Sequence, residues 1–432
     1  MCAPAHRPRP LKRSQPTKLI LPDLVSHCSF KLRCNRHKKA ITKETKRWLF
    51  KDGNLLGQKR EAYHGLKAGL LVAQCYPDAA YPQLRVVNDF MTYLFHLDNL
   101  SDLMDNTGTR TTADEVLNSL HYPHTWNTSA RVGKMTRDFW KRLVLTASPG
   151  AQQRFIETMD FFFQSVTQQA SDRANGVIPD LESYISLRRD TSGCKPCWAL
   201  IEYANNLDLP EEVMDHPVLR SLGEATNDLV TWSNDIFSYN VEQSKGDTHN
   251  MIPVVMNQYG VDLQSAIDFV GDLCKQSIDR FNEECSRLPS WGPEIDRQVA
   301  IYVDGLANWI VGSLHWSFET ERYFGKFGME VKEKLSVDLL AKRKAGQSQQ
   351  KSKCRQSQSP QDHYTQSYDT IQTSSSSASP HSPPNIYSTS ISHSSLSLSF
   401  YSGYPCPSQT SQSTSTCFQP NDGGTYSLGL VV

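Results

Sequence analysis

Between Trp48 and Ala345 the chain shows little strict apolar/polar alternation and few hairpin dipeptides, while apolar residues recur at spacings of three and four over long stretches. A period of two buries one face of a strand and a period of 3.6 one face of a helix, so this segment reads as helices. Asp89 to Met104 is one such stretch, carried by Phe90, Tyr93, Leu94, Leu97, Leu100 and Leu103. Gln152 to Gln169 is another, with Phe155, Ile156, Met159, Phe162, Phe163 and Val166. Leu219 to Glu242 and Arg297 to Phe324 are longer. Glycine and proline separate them at Ser148-Pro149-Gly150, Asn175-Gly176, Pro210 and Ser290-Trp291-Gly292-Pro293, where helices are expected to stop. No internal repeat of ~20–50 residues is evident. The expectation is an all-α fold, a single bundle of about ten to twelve helices judged from segment lengths.

Composition sets the limits of that bundle. Of 432 residues, 45 are Lys or Arg and 45 are Asp or Glu, so the basic surplus of a nucleic-acid binder is missing. Residues 346–432 hold 24 serines but only three acidic and three basic residues, too little apolar surface to offset ordering entropy. They are expected to form a disordered Ser/Gln/Thr-rich tail. Residues 1–47 are basic and Pro-containing, with 13 Lys or Arg against Asp23 and Glu44. They read as a disordered, solvated leader, a transit peptide being the alternative. Residues 48–345 remain as the folded part, enough for one large domain or two small ones. No apolar run approaches the ~18 residues of a membrane span, and no apolar segment follows the first basic residues as in a secretory signal. Eleven scattered cysteines then read as reduced thiols in a cytosolic chain. The pair Cys194/Cys197 has no second pair or His cluster to make a zinc site.

Two clusters of oxygen-bearing side chains stand out. Asp98 and Asp102 are four apart, one helical turn, and Asp105 follows on the same side. They end an apolar helix, where the macrodipole disfavours acids by about 0.3–1 kcal/mol each. A divalent cation would offset that cost; a solvated helix end is the alternative. In the second cluster Asn234, Ser238 and Glu242 stand at i, i+4 and i+8, within about 80° on one helix face. An amide carbonyl, a hydroxyl and a carboxylate are hard oxygen ligands of the kind Mg²⁺ takes alongside waters and substrate phosphates. Trp232, Ile236, Phe237 and Val241 flank them, so the helix is expected to be largely buried.

The variant aspartate-rich motif Asp98-Asn99-Leu100-Ser101-Asp102, followed by Asn234/Ser238/Glu242, resembles the class I terpene synthases. The string Asn234 to Met256, NDIFSYNVEQSKGDTHNMIPVVM, resembles the basidiomycete sesquiterpene synthases in particular. The resemblance spans residues 50 to 330. It includes Leu187-Arg188-Arg189-Asp190-Thr191-Ser192-Gly193, similar to the family's diphosphate sensor, and Arg322-Tyr323, similar to its C-terminal pair. A further likeness is to the protoilludene-forming group that closes a 1,11 bond. One departure is Asn99, where the family often has an acid, which leaves Asp98, with Asp102, to carry the first ligand set.

The resemblance implies a class I terpenoid synthase bundle and a carbon–oxygen lyase acting on (2E,6E)-farnesyl diphosphate with three Mg²⁺ ions. It implies metal ligation by Asp98, Asp102, Asn234, Ser238 and Glu242. It further implies that Arg189 reports diphosphate binding, that Ser192 links, and that the Gly193 carbonyl polarises the leaving group. Arg188, Arg322, Lys245 and Tyr323 would hold the diphosphate, and Mg²⁺ would act as a Lewis acid on it. Aromatic rings can then shelter a carbocation, each contact giving about 0.5–2 kcal/mol. Phe95, one turn before Asp98, and Trp316 are the favoured candidates. Trp309, Trp316 and Tyr323 recur every seven residues, a stripe that equally suits plain core packing. No obligate protein partner is expected. Two rivals stay open: a prenyl chain-elongating transferase, which would want a second aspartate-rich motif, and a non-enzymatic helical scaffold.

Overall fold

The glycines and prolines that punctuate the sequence cap the helices they separate. Ser148 accepts a hydrogen bond from the Ala151 amide and Pro149 opens the following helix, which ends at Gly176 in the left-handed region. Proline suits the first helical position, where no amide partner is needed, and glycine suits a left-handed C-terminal cap. Asp180 and Asp262 cap further helices through their carboxylates, and Gly246 closes the helix that carries Asn234.

A computed structural model of the protein describes residues 17–51, 57–101 and 106–342. In chain order the elements are β1 (Lys18–Ile20), α1 (Leu24–His27), α2 (Lys38–Leu49), α3 (Gln58–Leu66), α4 (Ala68–Cys75), α5 (Tyr81–Ser101) and α6 (Asn106–His121). There follow α7 (Arg131–Leu143), α8 (Pro149–Asn175), α9 (Leu181–Thr191), α10 (Cys194–Asn205), α11 (Glu211–Met214) and α12 (Pro217–Lys245). The last are α13 (Met251–Tyr259), α14 (Leu263–Cys285), α15 (Pro293–Glu319), α16 (Glu321–Phe324), α17 (Gly328–Lys334) and β2 (Ser336–Asp338).

The fold is all-α, as its hydrophobic period predicts. Seventeen α-helices among the described residues exceed the ten to twelve expected, because α1, α11 and α16 are single turns, α3 and α4 are split at Lys67, and α2 lies mostly in the segment expected as leader. Lys67 sits at φ 53°, a left-handed conformation that ends one helix and starts the next. Residues 17–47, expected as disordered leader, carry β1, α1 and most of α2 instead. Ile41, Thr45 and Leu49 bury one face of α2, a stripe obscured in the sequence by the lysines around it. The expected tail, 346–432, lies outside the described residues.

Helix α12 packs against α9, α10, α13, α14, α15 and α16, and more than half of it is buried. β1 and β2 pair antiparallel, Leu19 opposite Val337. That two-stranded clasp is tied to α12, since Asn240 Nδ2 donates to the Asp338 carbonyl at 3.0 Å and Asn240 Oδ1 accepts from the Leu340 amide at 2.8 Å. Buried carboxylates are paired, as desolvation requires. Glu202 grips Arg154 through both oxygens, and Asp89 meets Arg85, Arg142 and Thr45.

Candidate functional site: the face shared by α5, α9, α12 and α16

Four segments far apart in the sequence meet beside Asn234. Its Oδ1 accepts from Arg188 Nη2 of α9 at 3.0 Å, and its Nδ2 donates to the Tyr323 hydroxyl of α16 at 2.6 Å. Tyr323 packs edge-on against Trp316 of α15, ring centres 6.0 Å apart, and Trp316 lies 5.8 Å from Phe95 of α5. The Arg322 guanidinium sits 5.3 Å over the Phe95 ring. Phe95 is three residues before Asp98, so the run Arg188–Asn234–Tyr323–Trp316–Phe95 ends one turn from the first acidic motif. Asp98 belongs to α5, but its side chain, like Asp102 and Asp105, lies outside the described ones.

Arg188 owes its pose to Asp235. The carboxylate accepts from Arg188 at 2.9 and 3.1 Å, from the Tyr184 hydroxyl at 2.6 Å and from the Met251 amide at 3.1 Å. Burial acts to strip the Arg188 proton, but Asp235, Tyr184 and Glu242 outweigh it and keep the guanidinium charged. Arg189, one residue on, turns elsewhere. It binds both oxygens of Asp228 at 2.8 Å and pairs with Glu224, and Arg280 shares the same carboxylate. Ser192 donates to Asn227, and Gly193 takes φ 69° with Leu94 so close that an added Cβ would lie 2.9 Å from it. This break between α9 and α10 therefore needs glycine on two counts.

Ser238 and Glu242 continue the Asn234 stripe. Ser238 Oγ is buried and finds no well-formed hydrogen-bond partner among the described residues. Glu242 accepts from Asn250 Nδ2 at 2.9 Å, and burial, then the negative charge of Asp235, pushes its carboxyl up to about 7. The Ser238 hydroxyl and the Glu242 carboxylate lie side by side on the stripe, and Glu242 is short of positive charge; hard oxygens so placed suit a divalent cation, so this donor set fits one. Lys245 lies exposed on the last turn of α12. Trp316 is buried, and its indole N–H is committed to the Leu66 and Lys67 carbonyls at the α3–α4 break. Trp309 packs with Tyr76 and Trp198, away from Phe95.

Sequence reasoning missed three partners. Asp235 does bear a signal in the sequence, since an acid on a buried helix calls for a cation. Tyr184 and Asn250 carried no such signal. Their roles depend on how α9 and the turn after α12 are rotated.

A family model described as terpene synthase family 2, C-terminal metal binding, matches residues 89–280. Sesquiterpene synthase Agr1 of Cyclocybe aegerita is 79% identical over 344 residues, 80% of this chain and 99% of that protein. The chain belongs to the basidiomycete sesquiterpene synthases. Sesquiterpene synthase 1 of Postia placenta is 72% identical over 76% of this chain and 97% of its own length. Delta(6)-protoilludene synthase of Stereum hirsutum is a more distant relative, 38% identical over 75% of this chain and 88% of its own. In fold the synthase matches the crystal structure of germacradien-4-ol synthase from Streptomyces citricolor, with TM-score 0.60 over 67% of this chain and 96% of that one at 24% identity. The synthase is thus a terpene cyclase, a lyase acting on a small prenyl diphosphate, and it binds divalent metal. Neither a chain-elongating transferase nor a scaffold fits that membership. No described helix is long and apolar enough to cross a membrane.

Proposed function

We propose that the synthase ionises (2E,6E)-farnesyl diphosphate and cyclises the resulting cation, with Mg²⁺ held by Asn234, Ser238 and Glu242 of α12 and by Asp98 of α5, Asp102 completing that side. Bound there, a cluster of three Mg²⁺ ions supplies Lewis-acid neutralisation of the departing diphosphate. The observation that carries this reading is the contact of Asn234 with both Arg188 and Tyr323, which gathers three of the four family motifs at one point.

Of the paired arginines, Arg188 is the one we assign to the diphosphate, since it already reaches the ligand residue Asn234 while Arg189 is spent on Asp228. With Nε and Nη2 held by Asp235 and Asn234, it would offer its remaining Nη1 to a phosphate oxygen as one charge-assisted hydrogen bond. Arg189 then anchors the α9–α10 break, which fixes the Gly193 carbonyl. Arg322 and the Tyr323 hydroxyl bind the same anion from α16, and Lys245 attracts it as a point charge from the rim. Phe95 and Trp316 present ring faces and no lone pair to the cation. Trp316 has its one polar group bonded to backbone, so it offers only apolar surface to the cavity. A shared wall of rings keeps water off the cation, and its contour selects which bond closes.

Incubation of the purified chain with farnesyl diphosphate and Mg²⁺, followed by headspace gas chromatography, tests the proposal. Sesquiterpene hydrocarbon is expected. Farnesol alone, or no diphosphate release, would overturn it. A protoilludene-type product would support closure at the 1,11 bond, whereas a differently closed skeleton would rule it out.

A further inference from the structure

A hollow opens on the α2 side of the bundle, and none of the residues around Asn234 lines it. It has a volume of about 530 Å³ and opens between α2, the α3–α4 break and the part of α5 that carries Asn88 and Thr92. Lys38, Lys39, Lys43 and Lys46 of α2 line it together with Lys67, and no carboxylate does so among the described residues. The one acid of α2, Glu44, is engaged with Arg85 instead. Leu49, Phe50, Leu66 and Leu70 make an apolar floor. At the back Asn88 donates to Thr45 at 2.6 Å, and its buried Oδ1 has no partner among the described residues.

Four lysines of one helix line the concavity, the Lys67 ammonium being bonded to the Glu319 carbonyl, and like charges so gathered repel one another unless an anion joins them. Burial lowers the Lys46 pKa, and burial, then Lys46, lowers that of His64 in the same wall, with Glu61 acting the other way. A volume of this order suits a small molecule, and the pairing of cationic rim with apolar floor specifies its two halves.

We propose that this hollow binds a small amphiphilic phosphate, its anionic head among the α2 lysines and its short apolar body against Leu49, Phe50, Leu66 and Leu70. The site is distinct from the one assigned to substrate and does not depend on that assignment. It does adjoin it. Tyr63 lines the hollow and hydrogen-bonds His96 at 2.9 Å, two residues before Asp98, so an occupant bears on the end of α5.

Amine acylation of the full chain in EDTA, read peptide by peptide by mass spectrometry, tests this with three probes. Farnesyl monophosphate is expected to slow acylation of Lys39, Lys43 and Lys46 about fivefold or more, inorganic diphosphate to need higher concentration, and farnesol to do nothing. Equal acylation with and without farnesyl monophosphate would overturn the proposal. Protection by inorganic diphosphate at the same or lower concentration would overturn its apolar half. The variant Lys39→Ala/Lys43→Ala/Lys46→Ala should bind farnesyl monophosphate at least about tenfold more weakly by calorimetry, with turnover at limiting substrate within about twofold of the parent. Unchanged affinity would contradict the site. The footprint on the unsubstituted chain decides the matter even if the triple variant folds poorly.

Discussion

Asn234 shows what one residue does when its neighbours are considered. Its amide is oriented from both ends, by Arg188 and by Tyr323, so its oxygen is aimed before any metal arrives. Supporting hydrogen bonds of this type are commonly worth 10- to 100-fold in metal affinity or activity. Tyr323→Phe should therefore raise the Mg²⁺ concentration for half-maximal turnover by roughly tenfold, measured by metal titration at saturating substrate. An unchanged midpoint would remove Tyr323 from the support. His249 offers a test by pH. Burial, then Arg188 and Arg173, pushes its imidazole from 6.5 down to about 3. The unfolded chain takes up that proton first, so stability falls as pH drops from ~6.5 toward ~3, by at most about 1.4 kcal/mol per pH unit. His249→Gln should flatten that part of the denaturation profile, and an identical slope would show that His249 does not titrate there. The i, i+4, i+8 stripe was legible in the sequence because helical period alone sets it. The Arg188–Asp235 pair was not, since it depends on the rotation of α9 against α12.

Elements followed the same division. Helices α8, α12 and α15 were legible from apolar spacing and from the Gly and Pro at their ends. α2 was not, because its lysines hide a narrow buried stripe of Ile41, Thr45 and Leu49. The β1–β2 clasp was invisible, since its strands are three residues each and lie near opposite ends of the described chain, Ile20 pairing with Ser336. Its attachment has a consequence for α12. Asn240 lies between Ser238 and Glu242 and holds the clasp by two hydrogen bonds, at 3.0 and 2.8 Å. Asn240→Ala leaves the Asp338 carbonyl and the Leu340 amide without it, a loss of about 1–3 kcal/mol. Denaturant unfolding checks this, and a change below about 0.5 kcal/mol would show the clasp to be idle.

For the whole molecule, the match to the Cyclocybe aegerita synthase takes up 99% of that protein but 80% of this chain, so a fifth of this chain lies outside it. All assigned residues and both clasp strands precede residue 343. Removal of residues 343–432 should leave hydrocarbon output within about twofold, by gas chromatography under equal enzyme; a fall of ~tenfold or more would assign the tail a part in turnover. The class of fold could be read because packing a mostly 3.6-periodic chain leaves few alternatives. Product identity could not, because in the proposed site it would follow from how α5, α15 and α16 pack their rings together, which no motif encodes.

The most direct measurement is diphosphate release from farnesyl diphosphate as Mg²⁺ is removed and restored, for the parent chain and for Asp98→Asn and Glu242→Gln. Release should cease in EDTA and return with Mg²⁺, and each substitution should lower it by more than about a hundredfold while helical circular dichroism is retained. Near-parental release from either folded variant, or release that persists in EDTA, would contradict a metal centre shared by α5 and α12.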